Sequence, residues 1–256
     1  MIHETTLLGE TDKVGTAVER LWEYYPSEGY YLAFSGGKDS VVLKAIADLA
    51  CVPYDAHFNV TTVDPPEVLR FIREYYPDIV WHRPKKTMWQ LIVDHHMPPT
   101  RQVRYCCESL KETGGVGRVV LTGIRWEEST QRRGRSMVHT CYRQPTKRFV
   151  HPIIDWTDDE VWEFIRSENL PYCSLYDEGF DRIGCVLCPL HRGRQADVER
   201  FPKFYQAYLR AFEKMLDARR KKGLNTVGWE TAQDVMDWWL SDGRVKYDSR
   251  QQKFDW

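Results

Sequence analysis

The sequence predicts an α/β protein with a doubly wound, mostly parallel sheet and an α-helical extension toward its C-terminal side. Two observations carry that prediction. Short apolar runs of strand type alternate with amphipathic stretches at helical spacing, from about residue 28 to residue 168. Polar segments, two of them carrying glycine, follow several of the apolar runs directly, as they do where parallel strands deliver ligand-binding loops. With 256 residues, 42% of them hydrophobic and 29% charged, the chain suits one large α/β domain with an appendage, or two small domains.

In chain order, Lys13 to Tyr25 reads as an amphipathic helix leading into a first strand, Tyr30 to Phe34. A glycine-bearing turn, Ser35-Gly36-Gly37-Lys38-Asp39-Ser40, precedes a helix from Val41 to Ala50. Tyr54 to Asn59 is a second strand, ending in Thr61-Thr62-Val63-Asp64. Pro65-Pro66 then starts a helix to about Tyr76, since proline suits the first helical turn. Ile79 to His82 is a third strand, followed by a helix near Thr87 to His95. Arg118 to Gly123 is the clearest later strand and runs into Ile124-Arg125-Trp126-Glu127-Glu128-Ser129. Regular pattern then fades; residues 125–148 hold seven Arg or Lys against two Glu. Phe149 to Ile154 is strand-like, Thr157 or Asp158 caps a helix to about Glu168, and residues 169–190 form a loop rich in Pro, Gly and Cys. A long helix is expected from Ala196 to Lys222 and another from Glu230 to Leu240. There is no internal repeat and no low-complexity linker. The resulting organisation is an N-terminal helical segment (1–27), a nucleotide-binding domain (28–192) and a helical extension (193–256).

The turn at Ser35 to Ser40 is the organising feature. Adjacent glycines let the backbone curl so that N–H groups face an anion, the helix that follows adds partial positive charge, and Lys38 adds a full one. A plain β–α turn explains the glycines but not Ser, Lys, Asp and Ser packed beside them. The Walker A pattern is excluded, because Leu32 stands where its first glycine belongs and Asp39 follows the lysine. The polar segments Ser35–Ser40, Asn59–Asp64 and Thr122–Ser129 all fall at expected strand ends, and are expected to converge on one cleft.

Seven cysteines stand at 51, 106, 107, 141, 173, 185 and 188. An odd count in a chain with no signal-peptide pattern and no membrane-length apolar run argues for a cytoplasmic protein without a disulfide framework. The doublet Cys106-Cys107 and the pair Cys185-x-x-Cys188 form a set of four, the usual complement of a [4Fe–4S] cluster and of a structural zinc. Adjacent cysteines diverge too much to suit one tetrahedral ion, although His191, three residues after Cys188, keeps zinc open.

Ser35 to Ser40 resembles the PP-loop of the ATP pyrophosphatase superfamily, whose fold is called adenine nucleotide alpha hydrolase-like and whose members generally split ATP between its α and β phosphates. Over about residues 28–192 the chain also resembles the phosphoadenosine phosphosulfate (PAPS) reductase family, in particular the iron–sulfur branch that includes adenylylsulfate (APS) reductases. The likeness is carried by the cysteine groups 78 residues apart, by Leu121-Thr122-Gly123-Ile124-Arg125 with Glu128-Ser129, by His151-Pro152-Ile153-Ile154-Asp155-Trp156-Thr157 with Glu160-Val161-Trp162, and by Leu170-Pro171-Tyr172 through Leu175-Tyr176-Asp177-Glu178-Gly179-Phe180 to Ile183-Gly184-Cys185. It implies that Ser35, Gly36, Gly37, Lys38, Asp39 and Ser40 hold nucleotide phosphates, that Gly123 and Arg125 line the nucleotide, that Lys38, Asp39 and Arg125 serve the chemistry, and that Cys106, Cys107, Cys185 and Cys188 carry the cluster.

Two departures set an expectation apart from the family's reductases. Those enzymes use a cysteine in a C-terminal Glu-Cys-Gly segment, whereas this sequence runs from Cys188 to Gln251-Gln252-Lys253-Phe254-Asp255-Trp256 without another cysteine. The reductases have also lost the full SGGxDS pattern, which is intact here. The expectation is an ATP-dependent sulfurtransferase with Mg2+, with Asp39 and Asp64 as water-mediated metal partners or as caps of their own turns. Its acceptor would be a nucleic acid or a small molecule, served by a sulfur-donor or reductant protein. Sulfonucleotide reduction of APS or PAPS is the alternative, and a non-catalytic nucleotide-binding partner is a third class.

The net charge of −1 gives no global pull toward nucleic acid or membranes. Residues 191–222 hold ten Arg or Lys against four acids, interleaved with Phe201, Phe204, Tyr205, Tyr208 and Phe212. At helical spacing those aromatics read as core in preference to a base-stacking platform. His95, His96 and His139 read as surface or loop histidines. Trp238-Trp239 is expected to pack the last helix onto the body or onto a second copy in a homodimer.

Overall fold

A computed structural model describes residues 2–6, 9–191, 193–226 and 228–241. In order the elements are β1 (His3–Thr6), β2 (Gly9–Asp12), α1 (Lys13–Glu23), β3 (Tyr30–Ala33), α2 (Lys38–Leu49), β4 (Tyr54–Asn59), α3 (Pro66–Tyr75), β5 (Val80–His82), α4 (Met88–His95), α5 (Tyr105–Leu110), β6 (Val119–Leu121), α6 (Thr130–Arg133), β7 (Val138–Thr140), β8 (Arg148–Val150), α7 (Asp158–Ser167), α8 (Arg194–Arg200), α9 (Pro202–Lys221) and α10 (Ala232–Leu240). Single 3₁₀ turns lie at Trp126–Glu128 and Ser174–Tyr176. Among the described residues no helix is long and apolar enough to cross a membrane.

The chain forms two compact units. The first comprises the residues through Val60, Asp64–Pro84 and Lys111–Gly184. Its six-stranded sheet has the order β5-β4-β3-β6-β8-β7, parallel except for β7, which lies antiparallel to β8 at the edge. Strand order reverses between β3 and β6, so the loops leaving these two neighbours open at the topological switch point, where α/β sheets bind ligands. This is the doubly wound sheet expected from the alternating pattern. Tyr30, Leu32, Leu43, Ile46, Leu121, Trp156 and Phe164 are almost fully buried and form its core. Thr157 accepts the Glu160 N–H and Glu160 reaches back to the Thr157 N–H, a capping box that fixes where α7 starts.

The second unit comprises Thr61–Val63, Lys85–Leu110 and the chain from Cys185 onward. It is helical: α4, α5, α8, α9 and α10 enclose Ile92, Tyr208, Phe212, Met215 and Trp239. Trp239 donates its ring N–H to the Pro99 carbonyl at 2.6 Å and packs on Tyr208 and Phe212. The α9 aromatics Tyr208 and Phe212 are therefore core, as their spacing indicated, and Trp239 is internal to its unit.

Several elements differ from expectation for identifiable reasons. The helix expected over 196–222 is two helices, because Pro202 lacks an N–H and forces Phe201 out of helical geometry, with φ −123 and ψ 57. The strand expected over 149–154 stops at Val150, and residues 152–155 turn at Pro152. Residues before Lys13 pair as the antiparallel hairpin β1–β2, and α1 begins only at Lys13, capped by Asp12. Within the basic stretch after Ser129 the chain forms α6 and the edge strand β7, and His139, expected at the surface or in a loop, lies half-buried on β7.

Candidate functional site

In the first unit β3 ends at Ala33, and the chain turns through Ser35-Gly36-Gly37 into α2. Gly36 has φ +75, and a Cβ on it would stand 2.9 Å from Val68 Cγ1 and 3.1 Å from Ile72 Cδ1 of α3. Backbone conformation and packing thus both require glycine there. Gly37 is the N-cap of α2 and brings no side-chain cap. Ser40 Oγ donates to the Gly37 carbonyl at 2.8 Å and lies 3.2 Å from both Ser35 N and Ser35 Oγ, while Ser35 Oγ accepts the Gly37 N–H at 3.4 Å. The two serines lock the turn. Lys38 N–H donates to the Tyr176 hydroxyl at 2.9 Å.

The charged groups of this site form one network. Lys38 is buried; its Nζ lies 3.0 Å from Asp158 Oδ1 and donates to the Asp181 carbonyl at 3.0 Å, with the Trp162 and Tyr176 rings beside it. Arg125 is 2% exposed. Its Nε donates to Asp39 Oδ1 at 2.6 Å, its Nη2 to Asp158 Oδ1 at 2.8 Å, and its Nη1 to Glu127 and to the Trp156 carbonyl at 3.3 and 3.2 Å. One oxygen of Asp158 therefore bridges Lys38 and Arg125. Burial pushes the Asp39 carboxyl above the ordinary range, and the Arg125 charge pulls it back only in part. Gly123 explains how Arg125 reaches α2: a Cβ at 123 would stand 2.7 Å from the Asp39 carbonyl oxygen, so this loop can lie against the first turn of α2 only as glycine.

Ser35–Ser40 and the segment from Thr122 to Ser129 are thus brought together. Asp64 is buried just before α3, while Thr61–Val63 belong to the second unit. Asp158, Glu127, Tyr176 and Asp181 are members of the site that sequence reasoning missed. Asp158 stood in plain view beside Thr157, but an acid in the first turn of a helix reads as a cap.

The second unit gathers the four cysteines. α5 carries Cys106 and Cys107. Cys185 to Cys188 form a tight turn in which Leu187 takes φ +59, Val186 N–H donates to the Val63 carbonyl, Leu187 N–H donates to Asp197 and Cys188 N–H donates to the Cys185 carbonyl. Cys185 Sγ lies 3.5 Å from Thr61 Oγ1. The Cys106 thiol is pushed far up by its hydrogen bond to Cys107, by burial and by the charges of Cys107, Cys185 and Cys188. Buried Tyr208 is pushed up chiefly by burial and then by the charges of Cys185, Cys188 and Cys106, so the two cysteine groups share one neighbourhood. Among the described residues no group of three or more His, Cys, Asp or Glu side chains is arranged to hold a single metal ion. His191 instead lies 3.3 Å from Asp197.

Residues 29–191 match the family described as the phosphoadenosine phosphosulfate reductase domain. An adenosine 5'-phosphosulfate reductase of Oceanobacillus iheyensis is 28% identical over 193 residues, covering 70% of this chain and 78% of that protein. One from Bacillus anthracis is 27% identical over 211 residues, covering 77% and 91%. An uncharacterized protein of Methanocaldococcus jannaschii is 29% identical over 69% of this chain, which spans only 40% of that longer relative. A phosphoadenylyl-sulfate reductase from Candida auris, solved with phosphate, shares the fold at a TM-score of 0.51 and 19% identity, over 66% of this chain and 88% of that one.

Proposed function

Because the chain belongs to the phosphoadenosine phosphosulfate reductase family, we propose that its first unit is an enzyme site that binds the phosphates of an adenine nucleotide, and that the nucleotide is ATP used for sulfur transfer. The observation that carries this reading is the complete Ser35–Ser40 loop joined through Asp39 and Asp158 to the buried Arg125. A loop with Gly36 at φ +75, an N-cap without a side-chain cap and two cations bridged by Asp158 is suited to a polyanion. The Tyr176 oxygen on the Lys38 N–H marks where a phosphate oxygen would accept.

In the proposed reaction an oxygen of the acceptor attacks the α-phosphorus of ATP. The α–β phosphoanhydride breaks, pyrophosphate leaves, and a sulfur nucleophile from a donor protein then displaces AMP. Lys38 and Arg125 stabilise the charge that develops on the phosphates, and Asp39 and Asp158 hold these two cations in place. Magnesium would accompany ATP through Asp39 and Asp64 by way of water. Cys106, Cys107, Cys185 and Cys188 would hold a [4Fe–4S] cluster, one thiolate per iron, and such a group supplies electron- or sulfur-handling chemistry. What supports this set is that the Cys106 thiol is pushed up by Cys107, by burial and by the charges of Cys185 and Cys188, which makes the four neighbours.

A second reading, reduction of APS or PAPS to sulfite, is favoured by what the Oceanobacillus and Bacillus relatives are called. One experiment separates the two: protein purified without oxygen is offered ATP with Mg2+, APS or PAPS. AMP and pyrophosphate from ATP support sulfur transfer, and sulfite from a sulfonucleotide supports reduction. Lys38→Ala should weaken nucleotide binding by at least tenfold, about 1.4 kcal/mol or more, with iron content unchanged. Undiminished binding by that variant would sink the loop assignment.

A further inference from the structure

A line of four side chains runs through the first unit from Arg135 to Thr122. Arg135 Nη1 lies 3.4 Å from His139 Nε2, His139 Nδ1 lies 3.3 Å from His151 Nε2, and His151 Nδ1 lies 2.6 Å from Thr122 Oγ1. The sheet sets this line up. Leu121 of β6 pairs with Val150 of β8, so Thr122 and His151, the next residue on each strand, leave the sheet side by side. β7 places His139 opposite Phe149, two residues before His151.

Both imidazoles are neutral at neutral pH. His151 is fully buried, and burial first, then the neighbouring His139, drives its pKa down to about 3. Burial and the Arg135 charge lower His139 as well. A neutral imidazole carries one N–H, so the hydrogen bonds of such a line can run in either of two directions. Arg135 removes one of them. A guanidinium has N–H donors and no acceptor, so His139 Nε2 must accept. The His139 proton then sits on Nδ1 and is donated to His151 Nε2. The His151 proton in turn sits on Nδ1 and is donated to Thr122 Oγ1.

The last consequence falls on Thr122. Its oxygen accepts from His151, so its own O–H proton must be donated elsewhere, and among the described residues no acceptor takes it. Thr122 is half-buried at the carboxyl end of β6, and the residue after it, Gly123, lies against the Asp39 backbone at the start of α2. The spare donor thus stands at the switch point of the sheet, beside the phosphate loop.

We propose that Thr122 is a ligand-binding donor whose hydroxyl, aimed by His151, His139 and Arg135, bonds an anionic phosphate oxygen of the nucleotide. This rests on the nucleotide reading above. His151, His139 and Arg135 are positioning residues; no proton is transferred along them.

The test uses full-length protein in two measurements. The first is calorimetric binding of ATP with Mg2+ to wild type, Thr122→Val, Thr122→Ser and Lys38→Ala, with folding checked by circular dichroism. Thr122→Val should lose about tenfold in affinity, and Thr122→Ser should stay within about threefold of wild type. The second is histidine 15N NMR. It should show His139 and His151 as Nδ1–H tautomers in wild type, and His139 released toward Nε2–H in the exposed variant Arg135→Ala. An Nε2–H proton on His151 in wild type overturns the proposal whether or not Thr122→Val folds. Wild-type affinity in folded Thr122→Val, with binding lost in Lys38→Ala, overturns it while leaving the nucleotide reading intact. No binding of ATP or APS by wild type overturns both.

Discussion

His151 is a histidine that the folded chain keeps uncharged. Its pKa of about 3 lies below the ordinary histidine value near 6.5, so between those pH values the unfolded chain binds the extra proton and the folded chain does not. Its contribution to stability is complete above about pH 6.5 and drains away as pH falls toward 3, at up to about 1.4 kcal/mol per pH unit. Urea midpoints of wild type and His151→Asn, compared between pH 4.5 and 6.5, should converge as the solution is acidified. A constant difference would mean that His151 protonates freely in the fold. Both this residue and Thr122 stand in segments that carry the family likeness, but neither was given a role, because a lone histidine after a strand has no pattern until the neighbouring strands are placed beside it. The residues that were legible, Ser35 to Ser40, Gly123 and Arg125, lie in two short runs with unusual composition. Their partners Asp158, Tyr176 and Asp181 are of common types, and at least 33 residues separate them from the groups they bind.

Among the elements, α7 carries more of the site than its sequence suggested. Thr157 caps it and Asp158, its first residue, bridges Lys38 and Arg125, so the cap also fixes the carboxylate between the two cations. Thr157→Ala should cost about 1 kcal/mol of unfolding free energy and also weaken ATP binding severalfold, in urea titration and calorimetry respectively. Lost stability with unchanged affinity would make Asp158 independent of its cap. The strands of the parallel sheet were readable because each is a short apolar run closed by polar residues. The edge strand β7 was not, since three residues within a basic stretch carry no usable period. The break between α8 and α9 was readable in principle. Pro202 was in view, but the apolar period continued across it and hid the interruption.

On the scale of the whole molecule, the groups proposed to bind phosphate lie in one unit and the cysteine set lies in the other. If the cysteines hold a cluster, Cys185→Ser should lower iron content sharply in anaerobically purified protein, by elemental analysis. Chelator treatment should raise amide hydrogen exchange in residues 85–110 and 185–241 far more than in β3, β4 and β6. A colourless protein with stoichiometric zinc would refute the cluster.

The chain passes from one unit to the other five times, after residues 60, 63, 84, 110 and 184. Neither unit can therefore be cut out as a continuous fragment, and a nick in one leaves covalent ends in the other. The same threading sets a timetable during synthesis. At about 5–20 residues per second, Cys185 leaves the ribosome roughly 4 to 16 s after Cys107, so the doublet waits through the synthesis of β6, β7 and β8 for its partners. Of the four, the thiols of Cys106 and Cys107 are the ones exposed to oxidation in that interval, before a cluster of the kind proposed could be assembled on the whole set.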